Sequence, residues 1–114
     1  MNIKTILNKI SKKDPTWHVL LFNTPTCLEN LVDVFKSYNQ IFLQGEISES
    51  DSGQYMTVSQ LISALQKYPL EMDVTLFTKN REKMGYNSDI ESICDNGPAI
   101  QINGVIEKFK CPST

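Results

Sequence analysis

The feature that most constrains the fold is an internal match between the two halves of the chain. Residues 1–22 align without gaps on residues 56–77, an offset of 55 positions, and Val19, Leu21 and Phe22 fall on identical residues. Residues 41–47 align on residues 100–106 at an offset of 59 positions, which implies about four extra residues in the second copy. Self-similarity at a nearly fixed spacing is typical of repeated units. The sequence therefore predicts two copies of one unit.

Each copy begins with a predicted amphipathic helix, because its apolar residues recur at the spacing of one helix face. Asn2 is positioned to cap the first helix, and Thr57 followed by Gln60 has the spacing of a capping box at the second. Pro15 and Pro69 are predicted to end the two helices. The apolar positions are Ile3, Ile6, Leu7 and Ile10 in the first copy, and Val58, Leu61, Ile62 and Leu65 in the second.

Three strands are predicted after each helix. The first strands are His18–Phe22 and Asp73–Phe77, and two further β-rich runs follow in each copy, separated by turn residues. The unit is therefore αβββ, with boundaries 1–47 and 56–108. Residues 48–55, including the small and acidic run 48–54, have the composition of a flexible linker.

The fold class expected from this pattern is α+β, with two tandem αβββ repeats that share one core as a single domain over residues 1–114. A unit of about fifty residues buries too little apolar surface to be safely stable alone, so two helices should pack on one antiparallel sheet. If that sheet leaves an edge open, pairing of the edge with a second copy would give a homodimer.

Composition excludes several classes of function. The chain has 114 residues, 11 basic and 13 acidic side chains and a net charge of −2, so it lacks the positive charge that nonspecific nucleic-acid binding requires. The N-terminus is amphipathic rather than a secretory signal, and the longest purely apolar run, residues 19–22, is far too short to span a membrane. A cytoplasmic protein without a membrane partner is expected.

The cysteines and the histidine give no chemical motif. Cys27, Cys94 and Cys111 are widely spaced, without a closely spaced pair, so we expect free thiols and neither a metal nor another cofactor. A zinc site that combines the three thiols with His18 is an open alternative. Because nothing nominates one thiol as a nucleophile or orients His18 as a base, the sequence predicts that the protein is not an enzyme.

One segment carries a resemblance to known sequences. Residues 56–74, MTVSQLISALQKYPLEMDV, resemble the M-T-V-x-x-L-I-x-x-L opening of many small uncharacterised proteins encoded by phages and prophages, and residues 89–93 resemble its usual continuation. The likeness covers roughly residues 56–102, and the first copy departs from it at Asn2, Ile3 and Asp14. It implies a short domain of one helix and a few strands, and a phage accessory protein.

Two places are candidate binding sites. The stretch 78–86 contains Lys79, Arg81, Lys83 and Tyr86, which together suit an anionic group: the guanidinium can grip a phosphate or carboxylate, and the tyrosine can stack. A solvated hairpin tip is the plainer interpretation. Trp17, before the first strand, is a candidate interface anchor, or alternatively a residue that flanks the core.

The leading functional hypothesis is a non-enzymatic phage protein that binds and inhibits a host defence component by steric occupation, similar to an anti-CRISPR protein. A host protein complex is the expected partner, and the host cytoplasm the expected location. The alternative is a sponge that sequesters a small anionic ligand, such as a signalling nucleotide, through Lys79, Arg81 and Tyr86.

Overall fold

The computed structural model describes residues 1–24, 27–46, 55–79 and 85–105; at positions 24, 27, 79, 85 and 86 it describes the backbone alone. Within this part of the chain, two helices and six strands form an α+β fold. Of the predicted linker, residues 48–55, all but Tyr55 lie outside the described residues. The elements are α1 (Ile3–Ile10), β1 (His18–Thr24), β2 (Cys27–Ser37), β3 (Gln40–Glu46), α2 (Val58–Leu65), β4 (Asp73–Lys79), β5 (Gly85–Asp95) and β6 (Ala99–Gly104).

Both helices begin at the predicted caps. The Asn2 side chain accepts a hydrogen bond from the backbone N–H of Thr5 at 2.9 Å. At α2, the Thr57 side chain accepts from Gln60 N, and the Gln60 side chain accepts from Thr57 N, which completes the capping box. The helices end at Ile10 and Leu65, several residues before the prolines that were expected to end them. Backbone turns close each helix first, so the prolines lie in the connections to the strands.

The six strands close into a barrel in the order β1-β2-β3-β4-β5-β6. The expectation of an antiparallel sheet is wrong at two of the six junctions, because β3 pairs with β4 and β6 pairs with β1 in parallel. The chain returns through α2 between β3 and β4, so β4 starts at the same end of the barrel as β3. Because the described strands form a closed barrel, they offer no open edge, and the basis for an edge-paired homodimer is lost.

The registers of the two halves correspond. Leu31 lies opposite Gly45 and Ile90 lies opposite Gly104, and a bulge follows immediately in both β2 and β5. The parallel junctions correspond too, since Gln40 pairs with Asp73 at one and Ala99 pairs with His18 at the other. We call two residues matched when they are related by 55 positions in residues 1–24, or by 59 positions in residues 27–46.

The first residue of each helix forms a backbone hydrogen bond with the residue that precedes a strand of the other half. Ile3 N donates to Met72 O at 3.0 Å, next to the start of β4, and Val58 N donates to Trp17 O at 2.9 Å, next to the start of β1. Isolated bridges at Asn2 and Thr57 continue these contacts. The two halves are therefore joined by backbone hydrogen bonds as well as by side-chain packing.

One hydrophobic cluster contains residues of both helices and of the barrel interior. The two helices contact each other, and their buried faces close the barrel end at which β1 and β4 begin. No helix within the described ranges is long and apolar enough to cross a membrane. The completely buried side chains of largest volume are Ile3, Ile6, Ile10, Leu21, Leu31, Ile41, Leu43, Leu61, Leu65, Leu76, Ile100 and Ile102.

The capping box gives a test of the fold. Thr57→Ala removes the side-chain acceptor for Gln60 N, so we expect the free energy of unfolding to fall by about 1 kcal/mol in urea titrations followed by circular dichroism. Ser63→Ala, at an exposed position of the same helix, should change it by less than about 0.5 kcal/mol. Equal effects of the two substitutions would show that the box contributes nothing.

Candidate functional site

The predicted basic site falls mostly outside the described residues. The backbone of Tyr86 pairs with that of Thr78, so Lys79 and Tyr86 lie on the β4–β5 ribbon near the barrel end opposite the helices. The side chains of these two residues, and Arg81 and Lys83 entirely, are outside the described part. Their role in holding an anionic ligand stays a prediction.

Trp17 lies at the other end of the barrel, just before β1. Its side chain is half-buried against the hydrophobic cluster. The structure therefore does not bring Trp17 together with the β4–β5 ribbon, and its use as an interface anchor stays a prediction. The neighbouring His18 is exposed, with its ring centroid 3.8 Å from that of Tyr55.

Of the three cysteines, the structure describes the side chain of Cys94 alone. Cys94 is a free, exposed thiol, whereas the Cys27 side chain and Cys111 lie outside the described residues. No group of three or more His, Cys, Asp or Glu side chains that could hold a metal ion occurs within residues 1–24, 27–46, 55–79 and 85–105.

A buried polar layer lies inside the barrel toward the end opposite the helices. Asn23 on β1, Glu29 on β2 and Thr78 on β4 are 5%, 1% and 2% exposed. Asn23 Nδ2 donates to Thr78 Oγ1 at 2.8 Å, and Thr78 Oγ1 donates to Glu29 Oε1 at 2.6 Å. Asn23 and Thr78 are matched residues, so the two halves meet through this bond. The apolar interior thus changes to a hydrogen-bonded layer at this depth.

Two glycines make room for the polar layer. A Cβ at Gly45 on β3 would lie 2.7 Å from Glu29 Oε1, and one at Gly104 on β6 would lie 3.1 Å from Asn23 Oδ1. Both distances are shorter than an ordinary van der Waals contact. The two positions are matched, and at both of them the interior tolerates no larger residue without movement of its neighbours.

The layer contains a carboxylate in one half and a hydroxyl at the matched position of the other. Glu29 lies opposite Leu21 in the β1–β2 pair, and its matched residue Ser88 lies opposite Leu76 in the β4–β5 pair. Burial raises the pKa of the Glu29 carboxyl, while the hydrogen bond from Thr78 lowers it by less. Glu29 Oε2 is buried and accepts no hydrogen bond from the described residues. An ionised Glu29 therefore destabilises the folded protein.

Three phenylalanines form an aromatic face on the outside of the barrel, one each from β2, β3 and β4. Phe35 lies directly opposite Phe42, and their ring centroids are 5.5 Å apart in a stacked arrangement. Phe77 meets both rings edge-on at 6.3 Å. All three side chains are half-buried. They point outward because neighbouring residues of a strand alternate between its two faces, and the neighbours of Phe42 and Phe77 point into the barrel. We call Phe35, Phe42 and Phe77 the aromatic face.

The matched surface of the other half is largely polar. Phe35 and Phe42 are matched by Cys94 and Gln101, and Phe77 by Phe22. Side-chain hydrogen bonds run along this surface from Asn96 to Gln101 at 2.9 Å, from Gln101 to Asn103 at 2.7 Å, and from Asn103 to Ser92 at 3.0 Å. The barrel therefore closes with Cys94 and Gln101 at two of the matched positions, and its closure does not require Phe35 or Phe42.

Tyr38 projects from the hairpin that joins β2 to β3, between the strands of Phe35 and Phe42. It is 92% exposed, and its φ of 55° lies in the left-handed region that favours glycine. Its matched residue in the β5–β6 hairpin is Gly97, which has a φ of 63°. The first half thus holds a large, exposed aromatic ring at a backbone position where the second half has glycine.

A shallow groove between α2 and β2 is a weaker candidate. Six of the nine residues that line it are exposed, so it is a surface depression rather than an enclosed site. The lining residues are Val32, Asp33, Tyr55, Met56, Ser59, Gln60, Ser63, Ala64 and Lys67.

The aromatic face, Tyr38 and Glu29 were not among the sites predicted from the sequence. A signal for the face was present, because residues 41–43 are apolar at three successive positions, whereas their matched residues 100–102 alternate Ile, Gln, Ile. A strand that is apolar on both faces is covered on both or exposes one. The signal for Tyr38 was its alignment with Gly97. Glu29 gave no signal, since a lone glutamate in a strand is ordinarily exposed.

Comparison of the chain with protein-family models, with curated proteins and with solved structures found no match.

The buried carboxyl of Glu29 predicts a specific pH dependence. Its pKa is raised in the folded protein above the value of about 4.5 in the unfolded chain, so the folded state binds the proton more tightly. The free energy of unfolding should therefore decline as the pH rises from about 4.5 through the folded-state pKa. Glu29→Gln should remove that part of the decline and should be more stable than the wild type at pH 7.

The measurement is a series of urea titrations between pH 4 and pH 8 on both proteins. Glu91→Gln, an exposed glutamate on β5, is the control and should keep the wild-type profile. If Glu29→Gln retains the full decline, the Glu29 carboxyl is not the group that titrates.

Proposed function

We propose that this protein is a non-enzymatic binding protein whose contact surface is the aromatic face together with Tyr38. The surface combines three half-buried rings with one ring that is almost fully exposed, on rigid strands and a tight hairpin. Aromatic side chains at the centre of a patch are the residues that most often dominate binding energy between proteins. The proposed activity is occupation of a partner protein's surface.

Tyr38 is the observation that carries the proposal. A residue with a Cβ in the left-handed region costs about 1–2 kcal/mol relative to the ordinary backbone conformation, and glycine at the matched hairpin position avoids this cost. The ring makes no compensating burial, since it is 92% exposed. A side chain that destabilises the free protein and contacts little of it is explained by a partner that buries it.

The contrast between the two halves supports the same surface. In this proposal the chain is a tandem of two αβββ units, supported by the sequence offsets and by the corresponding registers. One unit then provides an internal reference for the other. Where the second unit has Cys94, Gln101 and Gly97, the first has Phe35, Phe42 and Tyr38. This contrast indicates specialisation of one side for binding.

The expected partner is a component of a host defence system, blocked by steric occupation in the host cytoplasm. Support for this part comes from the resemblance of residues 56–74 to small phage and prophage proteins. The aromatic face supports a protein partner but does not identify it.

Substitution of Tyr38 separates binding from stability. Tyr38→Gly should raise the free energy of unfolding by about 0.5–1 kcal/mol, the left-handed strain relieved less the entropy cost of glycine. The same variant should lose its partner. Partner binding is measured by affinity capture from host lysate with quantitative mass spectrometry, in parallel with the wild type.

Two further variants complete the comparison. Phe42→Gln introduces the amide found at the matched position and should also lose the partner, while thermal unfolding shows that it remains folded. Leu28→Ser removes an apolar side chain that is 40% exposed at the far end of β2 and should retain the partner. A partner captured equally by all four proteins would contradict the proposed surface.

A further inference from the structure

We infer that the aromatic face binds a basic protein segment in which arginine alternates with apolar residues. This inference rests on the proposed function, because it names the chemistry of the partner at the same surface. It is carried by the charges around the face and by the register that places them there.

Four carboxylates surround the aromatic face. Asp33 lies two residues from Phe35 on the same side of β2, and Asp89 on β5 lies opposite Thr75, the neighbour of Phe42. Asp73 and Glu46 lie toward the two ends of the face, since Asp73 pairs with Gln40 at one end of β3 and Glu46 ends the strand. All four residues are exposed.

The spacing of the carboxylates suits a short segment laid across the face. Asp33 and Asp89 are three strands apart, or about 14 Å at the usual strand spacing, and Asp73 and Glu46 are separated by about 20 Å along the strands. Curvature of the barrel shortens the first distance. The aromatic rings lie between the carboxylates, so an occupant meets apolar surface at the centre and negative charge at the margin.

The negative charge is not neutralised within the described part of the chain. The ion pair found there joins Lys13 to Asp95, away from the face, and none of the four carboxylates takes part in one. Among the residues of β2–β5 whose side chains the structure describes, no lysine or arginine points outward across the face; Lys36 lies opposite the buried Ile41 and so points to the other side of the strand. Lys79 follows Phe77 by two residues at the end of β4, and the structure describes its backbone alone. Complementary charge in the partner is therefore positive.

Arginine fits this surface better than lysine does. Its guanidinium is weakly hydrated, forms paired hydrogen bonds with carboxylates and stacks on aromatic rings, and its methylene stem packs on apolar surface. Thr75, 7% exposed beside Phe42, donates its hydroxyl hydrogen to Gln40 Oε1 at 2.8 Å and so does not compete with the partner as a donor. Nucleic acid is disfavoured as the occupant, because its phosphates would meet four carboxylates.

The test uses three synthetic seven-residue peptides in which leucine alternates with arginine, lysine or glutamate, with glycine at both ends. Each peptide is titrated into the full-length 15N-labelled protein and followed by NMR. The arginine peptide should shift the amides of β2–β4 and of Tyr38, with a dissociation constant at least ten-fold lower than that of the glutamate peptide and several-fold lower than that of the lysine peptide.

Two variants with the same change of charge test whether the carboxylates around the aromatic face contribute to peptide binding. Asp33→Lys should raise the dissociation constant of the arginine peptide at least five-fold. Glu91→Lys, the same charge change at an exposed position on β5, should leave that constant nearly unchanged. Thermal unfolding of both variants checks that each is folded.

The remaining outcomes separate the inference from the proposed function. If the glutamate peptide binds the face as tightly as the arginine peptide, the inference of a basic partner is wrong, while the aromatic face remains a binding surface. If the arginine peptide shifts amides elsewhere, or no peptide binds, the inference is overturned; the capture experiment with Tyr38→Gly then decides the proposed function by itself.

Discussion

The structure depends on how the two parallel junctions close the barrel. Each junction joins a strand of one half to a strand of the other, and each is accompanied by a helix that starts on the opposite half's strand, through Ile3 N to Met72 O and Val58 N to Trp17 O. These bonds satisfy backbone groups at the helix starts that otherwise lack partners. Since the hydrophobic cluster also spans both halves, the halves are joined in backbone and core together.

Closure of the barrel separates the interior from the outside surface. Inside, the residue at each strand position is limited by the space that its neighbours leave, as Gly45 and Gly104 show beside the polar layer. Outside, β2 and β3 carry the stacked Phe35 and Phe42, whereas β6, the strand that corresponds to β3 in the other half, carries hydrogen-bonded amides. The outside surface can therefore differ between the halves without changing the registers that hold the barrel closed.

Glu29 in the polar layer and Tyr38 in the β2–β3 hairpin each cost stability for a different reason. Glu29 is a carboxylate removed from water, with one oxygen that accepts no hydrogen bond from the described residues. Tyr38 holds a side chain in a backbone conformation that favours glycine. The cost at Glu29 depends on pH, whereas the cost at Tyr38 does not, so the two can be measured separately in the same protein.

The sequence by itself determined the local elements: the caps at Asn2 and Thr57, the two helices and the starts of β1 and β4 depend on residues close together in the chain. Tertiary structure alone decided the two parallel pairings, the burial of Glu29 and the meeting of Phe35, Phe42 and Phe77. Period-two patterns show which side chains share one face of a strand, but they do not show which strands become neighbours. That choice arises from closure of the whole barrel, in which residues distant in sequence compete for the same partners.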